Sequence, residues 1–121
     1  MITGIHSIVH TKDAEADRAF FRDVLGFPSV DAGHGWLIFA LPPAELACHP
    51  TEGTPRQELY LMCDDVEAAV DSLREKGIDT GPINEAGWGR VTMLTTPGGA
   101  EIGLYQPRHP TAIADRPPSE R

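Results

Sequence analysis

The residues of this chain best suited to chemistry are carboxylates that a two-residue period places on common strand faces. In QELYLMC (57–63), the side chains of Glu58 and Tyr60 face the same way, because successive side chains of a strand point to opposite faces. In AEIGLYQ (100–106), the same period selects Glu101. Paired carboxylates in a partly dry cleft are suited to general-base work. Glu58 and Glu101 are therefore the predicted catalytic residues.

Four aromatic residues and one arginine form a second candidate set. All four are tyrosine or tryptophan, whose side chains offer a flat apolar face and one hydrogen-bonding group. An arginine on the same strand face as Trp88 would bind an anionic group of an aromatic ligand. The alternatives are core packing for the aromatic residues and a salt bridge for the arginine. The predicted substrate-binding residues are Trp36, Tyr60, Trp88, Arg90 and Tyr105.

Composition narrows the class of protein. The 121 residues are 40% hydrophobic and 23% charged, which suits one globular domain. The net charge of −8 opposes binding to phosphate backbones, so we expect no nucleic-acid partner. No apolar run approaches the roughly 20 residues of a membrane span, and MITGIHSIVH lacks the features of a secretory signal. We therefore expect a cytoplasmic protein with a small-molecule ligand and no membrane contact.

Strand and helix signals alternate along the chain. Apolar residues three or four apart follow Asp13 and Asp65, which are favoured helix N-cap residues, and glycine closes both predicted helices. Alternating or apolar runs between turn signals predict the strands. The predicted elements are a strand at 2–10, a helix at 14–25, strands at 36–41 and 45–49, a strand at 57–63, a helix after Asp64 or Asp65, and strands at 78–83, 88–95 and 100–106.

The two halves of the chain resemble each other. IHSIVHTKDAEA (5–16) is followed 52 residues later by QELYLMCDDVEA (57–68), and PPAELA (42–47) matches GGAEIG (98–103) at a displacement of 56. His6 thereby falls opposite Glu58. We interpret this as two copies of a strand–helix–strand–strand–strand unit.

This repeat predicts an α+β fold in which two tandem βαβββ units pair into a curved mixed sheet around a cleft, with the helices on the outer face. The units cover roughly 1–50 and 56–107 of a single domain, 1–107, and the polar, proline-rich residues 108–121 form a flexible tail. The residues that would line the cleft are His6, Glu58, Tyr60, Glu101 and Tyr105.

The sequence resembles the vicinal oxygen chelate superfamily, which includes glyoxalase I, bleomycin-resistance proteins and extradiol dioxygenases. The resemblance is carried by HSIVHTKDAEADRAFFRDVLGF (6–27), ELYLMCDDVEAAVDSLREKGI (58–78) and TTPGGAEIGLYQP (95–107), which together span most of the predicted domain. It implies the paired-unit fold and a homodimer, in some members with units exchanged between chains.

The resemblance also implies where a metal would bind. His6 matches the first-unit histidine ligand, and Glu58 stands where the second unit usually has histidine. Gly103 stands at the position of the glutamate ligand, and Ala47 is its counterpart in the first unit. Glu101, two residues along the strand, is the candidate replacement. The expected cofactor is none or a weakly held divalent metal (Zn, Ni, Mn or Fe) on His6, Glu58 and Glu101.

Three functions remain open at this stage. The first is a metal-independent binding protein that sequesters a small aromatic or cationic molecule, as in the bleomycin-resistance branch. The second is a lyase, isomerase or dioxygenase in which a divalent metal polarises two vicinal oxygens of the substrate. The third is a metal-free enzyme with Glu58 or Glu101 as the base. Ala47 and Gly103 have no side chain that could bind a metal, and they therefore favour a binding protein or an unusual enzyme.

Overall fold

A computed structural model describes residues 6–113 of the chain. Its first half contains one helix and one hairpin, and its second half contains one helix and five strands. The elements are helix α1 (Ala14–Ala19), which continues as a π-helical turn (Phe20–Val24), strands β1 (Ser29–Asp31), β2 (Leu37–Phe39) and β3 (Tyr60–Met62), helix α2 (Val66–Glu75), and strands β4 (Asp79–Thr80), β5 (Asn84–Ala86), β6 (Gly89–Thr95) and β7 (Glu101–Pro107). Neither helix is long and apolar enough to cross a membrane.

The second half forms a mixed five-stranded sheet with the strand order β3-β7-β6-β4. Strand β3 runs parallel to β7, whereas β6 is antiparallel to β7 and to both β4 and β5. Strands β4 and β5 pair with opposite ends of β6, and together they occupy the place of a single strand with a break in it. The predicted strand–helix–strand–strand–strand order of this unit, and the α+β class, are confirmed.

Helix α2 packs on one face of this sheet. Of the two predicted cap residues, Asp64 and Asp65, it is Asp65 that begins the helix, since its carboxylate accepts a hydrogen bond from the Ala68 N–H at 3.1 Å. In the register of β6 and β7, Leu94 pairs with Ile102, and both are essentially fully buried. The buried apolar core, to which both the helices and the sheet contribute, consists of Phe20, Val66, Val70, Leu73, Ile78, Leu94, Ile102 and Leu104.

The first half is less regular than the predicted unit. Residues 6–10 of the expected strand at 2–10 have no strand partner, while residues 1–5 lie outside the described part of the chain. The segment 45–49 is not a strand either. Pro42, Pro43 and Pro50 lie in this region, and proline cannot donate to a strand ladder. Among residues 6–113, β1 and β2 therefore form a two-stranded sheet separate from the main one, rather than extending it.

Helix α1 begins and ends close to the predicted limits but changes its winding. Asp13 caps it by accepting from the Ala16 N–H at 3.0 Å, and Gly26, at φ +73°, follows its C-terminal end. Beyond residue 19 the chain forms a wider turn, in which the Leu25 N–H donates to the Phe20 carbonyl. Phe20 is buried there, and Phe21 packs against Phe20 at a ring-centroid distance of 5.3 Å.

A buried carboxylate joins the two halves. Asp17 of α1 is 4% exposed, and its oxygens accept from the Thr96 hydroxyl at 2.8 Å and the Gly98 N–H at 2.7 Å. The backbones of the two halves are also hydrogen-bonded at this point, since the Lys12 N–H donates to the Gly98 carbonyl at 3.1 Å. A Cβ atom on Gly98 would lie 2.8 Å from the Asp13 carbonyl oxygen, so only glycine permits this approach.

Replacing Asp17 with alanine should lower the free energy of unfolding by about 3 kcal/mol. The substitution leaves two buried donors without their charged acceptor, and hydrogen bonds to charged groups contribute about 1.5–3 kcal/mol each. Urea unfolding followed by far-UV circular dichroism measures the loss. The matched control is Asp23→Ala, whose exposed carboxylate pairs with its neighbour Arg22 and should leave the urea midpoint nearly unchanged. Equal midpoints for the two variants would contradict the role of Asp17.

Candidate functional site

The face of the five-stranded sheet opposite helix α2 is the candidate site, and we call it the cleft face. Side chains paired across neighbouring strands point to the same face. Tyr60 pairs with Gly103, which pairs with Met93, and these three residues form one row across β3, β7 and β6. The cleft-face residues of the three strands are Tyr60, Met62, Gly89, Val91, Met93, Thr95, Glu101, Gly103, Tyr105 and Pro107.

Three aromatic rings pack together on the cleft face. The ring centroids of Tyr60 and Tyr105 are 5.8 Å apart, with an angle of 90° between the ring planes. Trp88, in the turn between β5 and β6, lies 5.3 Å from Tyr105 and 6.4 Å from Tyr60, also in edge-to-face geometry. Trp88 remains 43% exposed. We call Tyr60, Trp88 and Tyr105 the aromatic cluster; all three are predicted substrate-binding residues.

His109 extends the aromatic cluster. Its ring stacks on Tyr105 with a centroid distance of 5.9 Å. Its Nδ1 lies 2.8 Å from the Pro110 carbonyl oxygen, which can only accept, so a neutral imidazole carries its proton on Nδ1. Nε2, 3.3 Å from the Tyr105 hydroxyl, then accepts a hydrogen bond from it. His109 falls within the predicted tail, 108–121. The spacing of four residues from Tyr105 was the only signal, and it was a weak one.

Residues 108–113 contact the body of the protein. The Arg108 N–H donates to the Trp88 carbonyl at 2.9 Å, and its guanidinium lies 2.8 Å from Glu85. The Ala112 N–H donates to the carboxylate of Glu45. The domain boundary at residue 107 stays a prediction, and residues 114–121 of the predicted tail lie outside the described part of the chain.

Two carboxylates face the phenols of the aromatic cluster. Burial raises the pKa of Tyr60, and the neighbouring Glu58 raises it further. Burial likewise raises the pKa of Tyr105, with Glu45 adding to the effect. Both phenols therefore stay neutral at physiological pH.

The two predicted catalytic glutamates line one cavity. Its volume is about 460 Å³, and its lining includes His10, Glu58, Tyr60, Met93 and Glu101. Glu58 accepts a hydrogen bond from the Arg56 guanidinium at 2.9 Å, and its side chain is 46% exposed. The structure thus brings Glu58 and Glu101 to the same cavity, next to the aromatic cluster, while their catalytic role stays a prediction.

The residues at this face do not fit a metal ion. Within residues 6–113, no three His, Cys, Asp or Glu side chains lie close enough together to hold one. His6 is exposed on the segment that has no strand partner, and Ala47 lies in an exposed loop. Gly103 contributes no side chain to the cleft face. His6, Glu58 and Glu101 do not form such a group within residues 6–113, and metal binding by them stays a prediction.

Two predicted ligand-binding residues lie elsewhere. Trp36 is 62% exposed on the hairpin loop, where the Arg18 guanidinium lies 4.4 Å from the centroid of its ring. Arg90 lies on the face covered by α2 and donates to Glu67 at 2.6 Å and Glu85 at 2.8 Å. The expectation that Arg90 shares a face with Trp88 is wrong, because β6 begins at Gly89 and the two-residue period does not extend into the turn.

Comparison with known proteins gives the same fold. Residues 4–104 match the model of the Glyoxalase/Bleomycin resistance protein/Dioxygenase superfamily. The chain belongs to this superfamily. A comparison with curated proteins gives no match.

Several solved structures are similar to this chain. The antibiotic-binding protein TnmS3 from Streptomyces sp. CB03234 is 30% identical, with a TM-score of 0.64 over 88% of this chain and 97% of that chain. A glyoxalase/bleomycin resistance protein from the same organism is also 30% identical, with a TM-score of 0.56 over 81% and 95% of the two chains. Lactoylglutathione lyase from Agrobacterium tumefaciens, at 17% identity, has a TM-score of 0.63 over 86% and 92% and shows the shared fold alone.

Replacing Arg90 with alanine should destabilise the protein without altering the aromatic cluster. The substitution removes two ion pairs between β6, α2 and β5 on the face remote from the cluster. We expect a lower midpoint of thermal unfolding and an unchanged near-ultraviolet circular dichroism spectrum below that midpoint. Arg56→Ala, which removes a more exposed pair, is the control and should change the midpoint less. A lost near-ultraviolet signal in Arg90→Ala would place Arg90 in contact with the cluster.

Proposed function

We propose that this protein binds and sequesters a small aromatic molecule on the cleft face, without a metal ion. The observation that carries the proposal is the aromatic cluster, in which a 43%-exposed Trp88 packs against two tyrosines, one of which, Tyr60, lines a cavity of about 460 Å³. Concave sites lined by aromatic side chains with a few polar groups are the usual sites for small organic ligands.

The similarity to TnmS3 supports this class of function. TnmS3 is an antibiotic-binding protein, and it shares 30% identity with this chain over nearly its whole length. We infer that the ligand here is likewise a small organic compound. The homodimer and the cytoplasmic location implied by the sequence stay predictions.

The charges around the aromatic cluster favour neutral or cationic aromatic ligands. Glu45 and Glu58 act on the phenols of Tyr105 and Tyr60. Arg90, the residue expected to bind an anionic group, is held on the opposite face by Glu67 and Glu85. An anionic ligand would therefore meet like charge on the cleft face and no free arginine from β6.

Titration with matched aromatic compounds tests the proposal. In a Trp36→Phe background, only Trp88 reports, and its fluorescence should be quenched by neutral and cationic members of an isosteric aromatic series. The anionic member should bind about fivefold more weakly, since repulsion between like charges near a protein surface costs about 1 kcal/mol.

Replacing Tyr105 with leucine, which keeps apolar bulk and removes the ring, should weaken binding about tenfold, because an aromatic pair contributes roughly 0.5–1.5 kcal/mol. The control is Val30→Ala, on the exposed face of the hairpin. If no member of the series quenches Trp88, the proposed function is wrong.

Metal analysis separates this function from the metal-dependent alternative, a lyase, isomerase or dioxygenase. Protein purified without chelator should contain far less than one equivalent of zinc, nickel, manganese or iron, because the cleft face lacks a cluster of ligands. His6→Ala should have the same metal content and the same ligand affinity as the unmodified protein. A stoichiometric metal that is lost in His6→Ala would overturn the metal-independent proposal and favour the enzyme.

A further inference from the structure

Gly103 occupies the middle of the cleft face, where the neighbouring strand leaves no room for a side chain. It is buried, and it pairs with Tyr60 on one side and Met93 on the other. A Cβ atom built on Gly103 would lie 2.7 Å from Cγ of Tyr60, and closer still to Cδ1 and Cε1 of the same ring. Real Cβ contacts do not occur at such distances, so the Tyr60 ring fills the space that a side chain would need.

The backbone itself does not require glycine at this position. Gly26, Gly33, Gly35, Gly77 and Gly99 have positive φ angles, whereas Gly103 lies in a regular strand with an ordinary one. Glycine in the interior of a strand costs stability relative to alanine when nothing else demands it. The Tyr60 ring is therefore the physical reason for glycine at residue 103.

The same contact sets the orientation of the aromatic cluster. With its ring against the β7 backbone, Tyr60 stands at 90° to the Tyr105 ring and at 87° to the Trp88 ring. A larger residue at 103 would force the Tyr60 side chain into another rotamer. The ring would then leave its neighbours or enter the space available to a ligand.

We propose that Gly103 is the specificity-determining position of this site. Its missing side chain seats the Tyr60 ring on β7, and the seated ring gives the cleft face its shape for flat aromatic ligands. The inference rests on the proposed function for its ligand, but the contact between Tyr60 and Gly103 is independent of any ligand. Gly103 acts through Tyr60 and is therefore a positioning residue.

A double-mutant cycle on residues 60 and 103 tests the contact. Gly103→Ala should lower the urea midpoint by about 1 M, as expected for an overpacked site in a protein of this size. In a Tyr60→Ala background, the same substitution should leave the midpoint unchanged or slightly raised, because the ring that blocks the Cβ atom is gone. The cycle thereby isolates the coupling between the two residues.

Two other glycines provide matched controls. A Cβ atom on Gly81 would meet only ordinary contacts, the nearest at 3.7 Å from the Thr92 hydroxyl oxygen, so Gly81→Ala should be tolerated. A Cβ atom on Gly89 would lie 2.6 Å from the Gln106 carbonyl oxygen. Gly89→Ala should therefore lower the midpoint, and the Tyr60→Ala background should not restore it, because its obstacle is backbone.

Ligand affinity and a spectroscopic signal separate positioning from mere stability. At 20 °C without denaturant, folded Gly103→Ala should bind the neutral aromatic compound at least tenfold more weakly and show a changed near-ultraviolet circular dichroism spectrum. The double variant Tyr60→Ala/Gly103→Ala should regain the midpoint of Tyr60→Ala without regaining affinity. Gly81→Ala should keep both the spectrum and the affinity.

Each outcome decides the inference. An equal loss of midpoint from Gly103→Ala in both backgrounds, or full ligand affinity in Gly103→Ala, would overturn it while leaving the proposed function standing. If the unmodified protein binds no aromatic compound, the proposed function fails, and so does the role of Gly103 in specificity. The urea cycle would in that case still measure the contact between Tyr60 and Gly103.

Discussion

The two-residue period of strand β7 is the constraint on which the rest of this structure depends. Because β7 lies between β3 and β6, neighbours fix each of its side chains on one face or the other. Ile102 and Leu104 are committed to the core beneath α2, and Gly103 and Tyr105 are thereby committed to the cleft face. A slip of one residue would expose the core and bury the site, so stability and ligand binding share one register.

The turn that leads into β7 also connects the two halves of the chain. Asp17 reaches from α1 to Thr96, just before this turn, and to Gly98 within it. A buried carboxylate is costly unless its oxygens are fully hydrogen-bonded, and here two donors satisfy it. The helix of the irregular first half is thus held at the start of the strand that carries the site. The separate hairpin β1–β2 has no such ladder to the main sheet.

Sequence periodicity predicted the parts of the site that lie inside strands. The period placed Tyr60, Glu101 and Tyr105 on one face, and the register confirms that arrangement. It failed where a residue lies in a turn, as with Trp88, so the face of Arg90 could not be deduced from it.

Contacts between residues distant in sequence left no periodic signal at all. Asp17 and Thr96 are 79 residues apart, and only the folded chain shows that they are hydrogen-bonded. The expected strand at 45–49 is absent for a local reason. Prolines flank that segment on both sides, and a proline has no N–H to donate to a neighbouring strand. Helix caps were predictable because each cap depends on only a few residues that are adjacent in the sequence.

The identity of residue 103 carries functional meaning only together with that of residue 60. In a parallel pair of strands, facing positions share one volume, so a small residue on one strand accommodates a large one on the other. A side chain at residue 103 could reach into the cleft only if residue 60 on β3 left the space above it empty. Tyr60 fills that space, so glycine at residue 103 leaves β7 without a side chain there and lets the Tyr60 ring pack on the strand. The missing side chain at residue 103 and the position of the Tyr60 ring are thus two sides of the same packing contact. Neither residue considered alone would reveal it.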